Sequence, residues 1–348
     1  MRAHEARVAI YGAGAMCTVL GVLLTKGGQA VDLITRNEGH VLGMRENGAT
    51  VVCEADGVVI TEKVNALFPQ EMTGKYDVVF LMTKQRHNEE ILKNLLPYLQ
   101  EDGVICTTQN GLPEEKIAKI VGNNRTYGGV TSYGATFLGG GRVALTSKLQ
   151  GMHMEVSGYE NDEAKTDLLV EILSHACQTT NNKDFVKRTD NLLGSRWAKL
   201  AINATFSGLS VITGRTFGEI AKDKRTRKLA LKILQECILV AKSSGIVLPK
   251  MQGFNMEKWL CGETLIKRLV AYLVLPFAMR KHQKLRSGML MDLQNGKPCE
   301  IDFINGVVIE QGEKVGVPTP YSQKIVEIAH GVEKGIYKIE YENVNRFD

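Results

Sequence analysis

The chain has 348 residues, 44% hydrophobic and 23% charged, a globular balance that excludes a disordered or collagen-like polypeptide and is long enough for two domains. Its 43 basic and 38 acidic residues leave a formal charge of +5, too small and dispersed for a nucleic-acid partner but compatible with an anionic small molecule. Glycine is frequent, at 35 residues, and proline scarce, at 8, which fits tight turns and close backbone approaches rather than flexible linkers.

In chain order, Arg2, Glu5 and Arg7 precede a short apolar stretch that runs into glycines, a poor signal peptide and a good first strand. Residues 7–11 (RVAIY) predict that strand, 14–26 a helix stopped by Gly27 and Gly28, and 30–35, 77–82 and 104–108 further strands. Between the last two, Ile91, Leu92, Leu95 and Leu96 recur at helical spacing. Repeated βαβ units with short apolar strands predict an α/β fold, a Rossmann-type doubly wound parallel sheet with helices on both faces. The glycine-rich residues 128–157 predict closing antiparallel strands, and 162–177 a helix. From residue 190 the pattern becomes helical, over 192–202, 225–243 and 300–314, with almost no strand signal. The boundary is expected near residue 188, giving a dinucleotide-binding domain over 1–188 and an all-α substrate and catalytic domain over 189–348.

The longest uncharged apolar run, residues 269–279, is interrupted by Pro276 and far short of a membrane span. Seven cysteines form no CxxC pair and no cluster at zinc spacing, which predicts reduced thiols in a cytoplasmic protein without a metal site. The seven histidines are isolated, with no second ligand at metal spacing, and the basic run 222–228 reads as a solvated helix start.

Gly12-Ala13-Gly14-Ala15-Met16-Cys17 lies between a predicted strand and a predicted helix, the context that gives GxGxxG its meaning. The first glycine permits the tight turn, and the second lets backbone approach a pyrophosphate at the helix N-terminus. The third position, usually glycine or alanine for helix–sheet packing, is the slightly larger Cys17. At the end of the second strand, where an NAD enzyme places Asp or Glu on the ribose hydroxyls, the chain has Thr35-Arg36-Asn37. A guanidinium there suits a 2′-phosphate, so the expected cofactor is NADP(H); the alternative is a solvated strand-end arginine.

Several separated motifs follow in order: the GAGAM turn, Lys84 after DVVFLMT, Gln109-Asn110-Gly111, the WAKLAIN run 197–203, SGMLMD at 287–292, EIDFING at 300–306 and GVPTP at 316–320. Together, over nearly the whole length, they resemble the ketopantoate reductase family (2-dehydropantoate 2-reductases and related 2-oxo-acid reductases). The resemblance implies a Rossmann domain followed by an all-α domain of the 6-phosphogluconate-dehydrogenase-like C-terminal arrangement. It also implies NADPH-dependent reduction of a 2-oxo acid in the cleft against the helical domain. Lys199 sits in a strongly apolar helix start, where desolvation lowers the pKa of an ammonium towards a useful acid range. Asn203 is four residues on, so one helical turn puts both side chains on the same face.

By resemblance Lys199 is the general acid, Asn203 a substrate ligand, and Glu300 lies near the lysine and orients or tunes it, beside the cofactor. Without the resemblance, Glu300 is a carboxylate favoured at a helix start. Asn110, straight after a parallel strand, is assigned by the family loop to nicotinamide and substrate; otherwise it is a turn asparagine tolerant of left-handed backbone. Lys84 is assigned to cofactor phosphate, with Gly12, Gly14, Ala15, Met16 and Arg36. Asp302 and Asn305 read as structural.

The departures concern substrate. Gly288 stands where the family commonly has a substrate-binding serine, Met291 where it has glutamine, Cys299 where threonine often stands, and Ser207 where it can carry asparagine. Fewer donors weaken recognition of a hydroxylated substrate such as ketopantoate, with Ser287 and Ser207 as the hydroxyls at hand. Another branched or aromatic 2-oxo acid is therefore a rival substrate. A surplus apolar helical segment over 253–282 is packing, a homodimer contact or a lid. A non-catalytic NADP-binding redox regulator explains the first domain but not the motifs of the second. An opine or polyol-type dehydrogenase calls for a His/Asp site that the sequence lacks.

Overall fold

Residues Val8–Tyr11 (β1) are all buried, and their alternation assigns them to two cores: Val8 and Ile10 to one, Ala9 and Tyr11 to the other. A strand with apolar side chains on both faces needs cover on both, which is the arrangement around it in the computed structural model, which describes residues 3–160, 163–250, 254–260 and 264–347. The chain divides into one unit of Met1–Gln109 with Pro113–Leu192 and a second of Asn110–Leu112 with Leu193–Asp348.

The first unit contains β1, β2 (Val31–Ile34), β3 (Ala49–Cys53), β4 (Val58–Glu62), β5 (Asn65–Leu67), β6 (Tyr76–Leu81), β7 (Leu99–Thr107), β8 (Thr126–Thr131), β9 (Ala135–Gly139), β10 (Arg142–Leu145), β11 (Met154–Gly158) and β12 (Val186–Arg188). Its helices are α1 (Ala15–Lys26), α2 (Glu38–Asn47), α3 (Asn88–Leu95), α4 (Glu114–Val121) and α5 (Glu163–Thr180). The main sheet runs β12-β11-β8-β7-β6-β1-β2-β5. The expected doubly wound sheet is present, but β8 pairs parallel with β7, not antiparallel; the antiparallel turn comes at β11, which runs against β8. A second sheet, β4-β3-β10-β9, packs on the far side of α1; its antiparallel β9–β10 pair lies within the expected 128–157 strands, whereas its separation from the main sheet and its β3 and β4 are new. That cover explains why Cys17 to Leu24 are buried all round rather than on one stripe. Asp162, where the fifth helix was expected to start, lies outside the described residues.

The second unit is helical: α6 (Leu192–Ile202), a π turn (Asn203–Ser207), α7 (Gly208–Thr213), α8 (Phe217–Lys222), α9 (Lys224–Ser243), α10 (Met256–Leu260), α11 (Leu265–Ala278), α12 (Gly288–Gln294), α13 (Asn305–Lys314) and α14 (Pro320–Glu333). Its core gathers Trp197, Leu200, Phe206, Leu209, Leu234 and Ile325, with no strand among the described residues. The expected continuous helix over 300–314 is broken. Ile301–Phe303 is a single 3-10 turn, Ile304 leaves helical backbone (φ −116, ψ −83), and α13 starts only at Asn305. Gly253, at the start of the expected surplus segment, is not described; within that segment α11 exposes Ile266, Leu269, Leu273 and Phe277.

Candidate functional site

Tyr11 pairs with Leu81 across β1 and β6, and Leu81 with Thr107 across β6 and β7, so the chain leaves three neighbouring strands at one level. From β1 the connections run outward to β2 on one side and from β6 to β7 and β8 on the other, so the winding reverses between β1 and β6. That reversal is where open parallel sheets bind ligands.

Gly12 emerges there with φ +102, and a Cβ on it would lie 2.6 Å from Thr83 Cγ2 and 2.7 Å from Thr83 N. The turn is held from within: Gly12 and Ala13 N–H donate to Ile34 O at 2.8 and 3.0 Å, and Gly14 N–H to Gly12 O at 2.6 Å. Gly14 is the N-cap of α1 and offers no side-chain cap, so the first-turn amides of Ala15 and Met16 face the helix mouth without an internal competitor. This cradle fits a dinucleotide pyrophosphate. Cys17 is accommodated at the third motif position because its thiol, 2% exposed, donates to Gly12 O at 2.6 Å. Burial pushes that thiol up to about 12, so it remains the protonated donor the bond requires. The close helix–strand contact expected of position 17 occurs one turn later, at Gly21, where a Cβ would lie 2.5 Å from Leu33 Cδ2.

Arg36 follows β2 as expected, exposed, but Glu90 on α3 accepts from its Nη2 at 2.9 Å. A carboxylate from another element thus stands beside the strand-end arginine, a pairing that no sequence spacing announces. Lys84 is half-buried and precedes a 3-10 turn (Gln85–His87). Gln109 is in the sequence a motif residue without an assigned role. Its buried amide exchanges two bonds with Asn88, at 3.0 and 2.7 Å, and donates to Thr83 O at 2.7 Å, tying the ends of β6 and β7. Asn110 is exposed and belongs to the second unit. It is not the left-handed turn residue: Gly111 carries φ +82, and Asn181 is the only non-glycine with positive φ among the described residues.

In the second unit, Lys199 lies on α6, partly exposed at the surface yet largely enclosed by protein. Burial, with the like charge of Arg196 second, lowers its pKa to about 7. Arg196, 2% exposed and three residues upstream, was missed, although its spacing to Lys199 was readable. Asn203 does not continue a regular helix; it opens the π turn that ends at the buried Ser207, so the two residues sit on a widened turn. That turn is braced by Asn305, fully buried, whose Nδ2 donates to Ala204 O at 3.0 Å. Ser287, 3% exposed, caps α12 by accepting from Met289 N–H at 3.1 Å. Around Gly288 a Cβ would meet nothing within 4 Å, so packing does not demand glycine there. Glu300 is half-buried before the 3-10 turn, so the helix-start argument for a carboxylate does not apply to it. Asp302 pairs with His330 at 3.0 Å.

Two family models match the chain: "Ketopantoate reductase PanE/ApbA" over residues 8–156 and "Ketopantoate reductase PanE/ApbA C terminal" over residues 191–333. The chain belongs to the ketopantoate reductase family. It is 27% identical over 329 residues to the 2-dehydropantoate 2-reductase of Streptococcus pyogenes serotype M3, covering 94% of this chain and 97% of that one. It is 28% identical to the enzyme of that name from Nostoc sp., covering 91% and 92%. Among solved structures it resembles D-mandelate dehydrogenase in complex with NADH and anilino(oxo)acetate, with a TM-score of 0.79, 26% identity and coverage of 95% and 99%. As a member of the ketopantoate reductase family the chain is a 2-oxo acid reductase, an oxidoreductase acting on a CH–OH group, built on a Rossmann-type domain.

Proposed function

We propose that the protein reduces a 2-oxo acid to its 2-hydroxy acid with NADPH, and that 2-dehydropantoate is the leading substrate. The observation that carries the mechanism is Lys199: an enclosed ammonium whose pKa is lowered to about 7 is charged below that value and gives up its proton readily. When bound, the nicotinamide supplies the hydride to the ketone carbon. Lys199 delivers the proton to the carbonyl oxygen, and buried Arg196 lowers the cost of losing it by like-charge repulsion. Asn110, Asn203, Ser207 and Ser287 supply polar groups for substrate, and Glu300 orients or tunes Lys199 beside the cofactor. Gly12, Gly14, Ala15 and Met16 would hold the pyrophosphate, with Lys84 as a further phosphate ligand and Arg36 on the 2′-phosphate. Residues 1–188 then serve the cofactor and 189–348 the substrate and catalysis.

Three observations favour further readings. The Arg36–Glu90 pair offers both a guanidinium for a 2′-phosphate and a carboxylate for a ribose diol, which supports use of NADH as well. The missing hydroxyl at Gly288 supports a branched or aromatic 2-oxo acid. The exposed apolar stripe of α11 supports a homodimer. No described helix is long and apolar enough to cross a membrane, and a cytoplasmic location is part of the proposal.

The test is oxidation of NADPH and NADH by the purified protein against 2-dehydropantoate and a panel of branched, aromatic and short 2-oxo acids. Turnover on 2-dehydropantoate supports the leading reading, and turnover elsewhere in the panel moves the substrate but keeps the chemistry. Silence across the panel with cofactor still bound would favour the redox regulator.

A further inference from the structure

His40 is a fully buried imidazole on α2 that the reaction does not use. Its ring sits 4.7 Å from that of Phe137, and burial lowers its pKa. Its tautomer follows from its partners. Gly141 N–H can only donate, and it does so to Nδ1 at 3.1 Å, so the ring proton resides on Nε2. Nε2 lies 2.9 Å from Thr18 Oγ1 and must donate to it. Thr18, itself fully buried, then directs its single hydroxyl proton to Gly14 O at 2.8 Å. The chain of donors is unidirectional: Gly141 amide, His40, Thr18, Gly14 carbonyl.

The end point matters because of peptide geometry. In a trans peptide the carbonyl and the following N–H point in opposite directions. Gly14 O accepts both this hydroxyl and Thr18 N–H, at 3.0 Å, and the two bonds that hold it inward hold Ala15 N–H outward, towards the mouth of α1. The start point is rigid as well. Gly139, Gly140 and Gly141 all have positive φ, and a Cβ on Gly43 of α2 would lie 2.3 Å from Gly140 C, so the β9–β10 turn and α2 meet backbone to backbone.

We propose that His40 is a positioning residue for the dinucleotide pyrophosphate, fixing the Gly14–Ala15 peptide through Thr18 from the second sheet. The proposal rests on the reading of the glycine turn as the cofactor site. It makes the second sheet part of the binding apparatus rather than an appendage.

The experiment measures the affinity of the full-length protein for two probes: ADP, which carries the pyrophosphate, and adenosine 2′-monophosphate, which lacks it. Thr18→Val keeps the shape and removes the hydroxyl; His40→Leu removes the relay at its centre; His40→Gln retains a donor near the Nε2 position. The first two are expected to weaken ADP by about tenfold and to leave adenosine 2′-monophosphate unchanged. The double variant should be no weaker than either single one, because both cut the same chain, and His40→Gln should recover much of the loss. Wild-type ADP affinity in Thr18→Val, or equal weakening of both probes, would overturn the proposal. Failure of the wild-type protein to bind ADP at all would instead overturn the cofactor reading on which it rests. Should His40→Leu not fold, Thr18→Val alone decides.

Discussion

Lys199 shows how placement changes the chemistry of a residue type. An ammonium on a solvated helix face is a poor acid at neutral pH, whereas this one, enclosed and beside Arg196, has its pKa lowered to about 7. The sign follows directly. Reduction needs the protonated amine, so kcat/KM for the 2-oxo acid should be flat below pH 7 and fall by about tenfold per pH unit above it. Oxidation of the 2-hydroxy acid needs the neutral amine and should rise over the same range. A reductive profile that stays level to pH 9 would remove Lys199 as the titrating acid. At the cofactor end, Glu90→Gln frees Arg36 from its carboxylate partner. Steady-state kinetics should then show the KM ratio shifting towards NADPH by about tenfold. An unchanged ratio would mean that the pair does not touch the ribose.

At the scale of elements, the π turn at Asn203–Ser207 and its brace Asn305 form one unit. Asn305→Ala removes the side-chain donor to Ala204 O and opens space beside Gly208, where a Cβ would already lie 3.0 Å from Asn305 Oδ1. Thermal or urea unfolding should register a loss of about 1–3 kcal/mol, with KM for the 2-oxo acid rising more than kcat falls. Native stability would contradict a bracing role.

The strand β1 and the glycine turn were legible because a buried parallel strand leaves an apolar run, here VAIY, directly before Gly12, and β2 and β6 because short β-rich apolar runs surround single aspartates, Asp32 and Asp77. The second sheet was legible only in part: β9 and β10 lie in the glycine-rich stretch read as antiparallel strands and do pair so, but β4 is largely exposed without a clear period, and nothing in the sequence announces that β10 pairs with the distant β3. The π turn was not legible, since a one-residue widening leaves the apolar residues around Asn203 in place and changes only their angle. The helix start expected at Glu300 fails for a related reason. Its segment has helical composition on both sides of Ile304, and only the backbone shows that the helix restarts there. Arg36 was found, but Glu90, contributed by another element 54 residues on, left no trace in the sequence.

For the whole molecule, the exposed stripe Ile266, Leu269, Leu273 and Phe277 is too apolar to be left in water by a monomer without cost. Light scattering on the purified protein should give twice the chain mass, and Phe277→Asp should return a monomer. A monomeric wild type would remove the dimer from the account. The account as a whole rests on Lys199 as the proton donor to a 2-oxo acid, and the most direct measurement is single-turnover reduction by Lys199→Ala with NADPH binding followed separately. The predicted result is a rate loss of about 10²–10⁴-fold with cofactor affinity retained. Near-native turnover in that variant would contradict it.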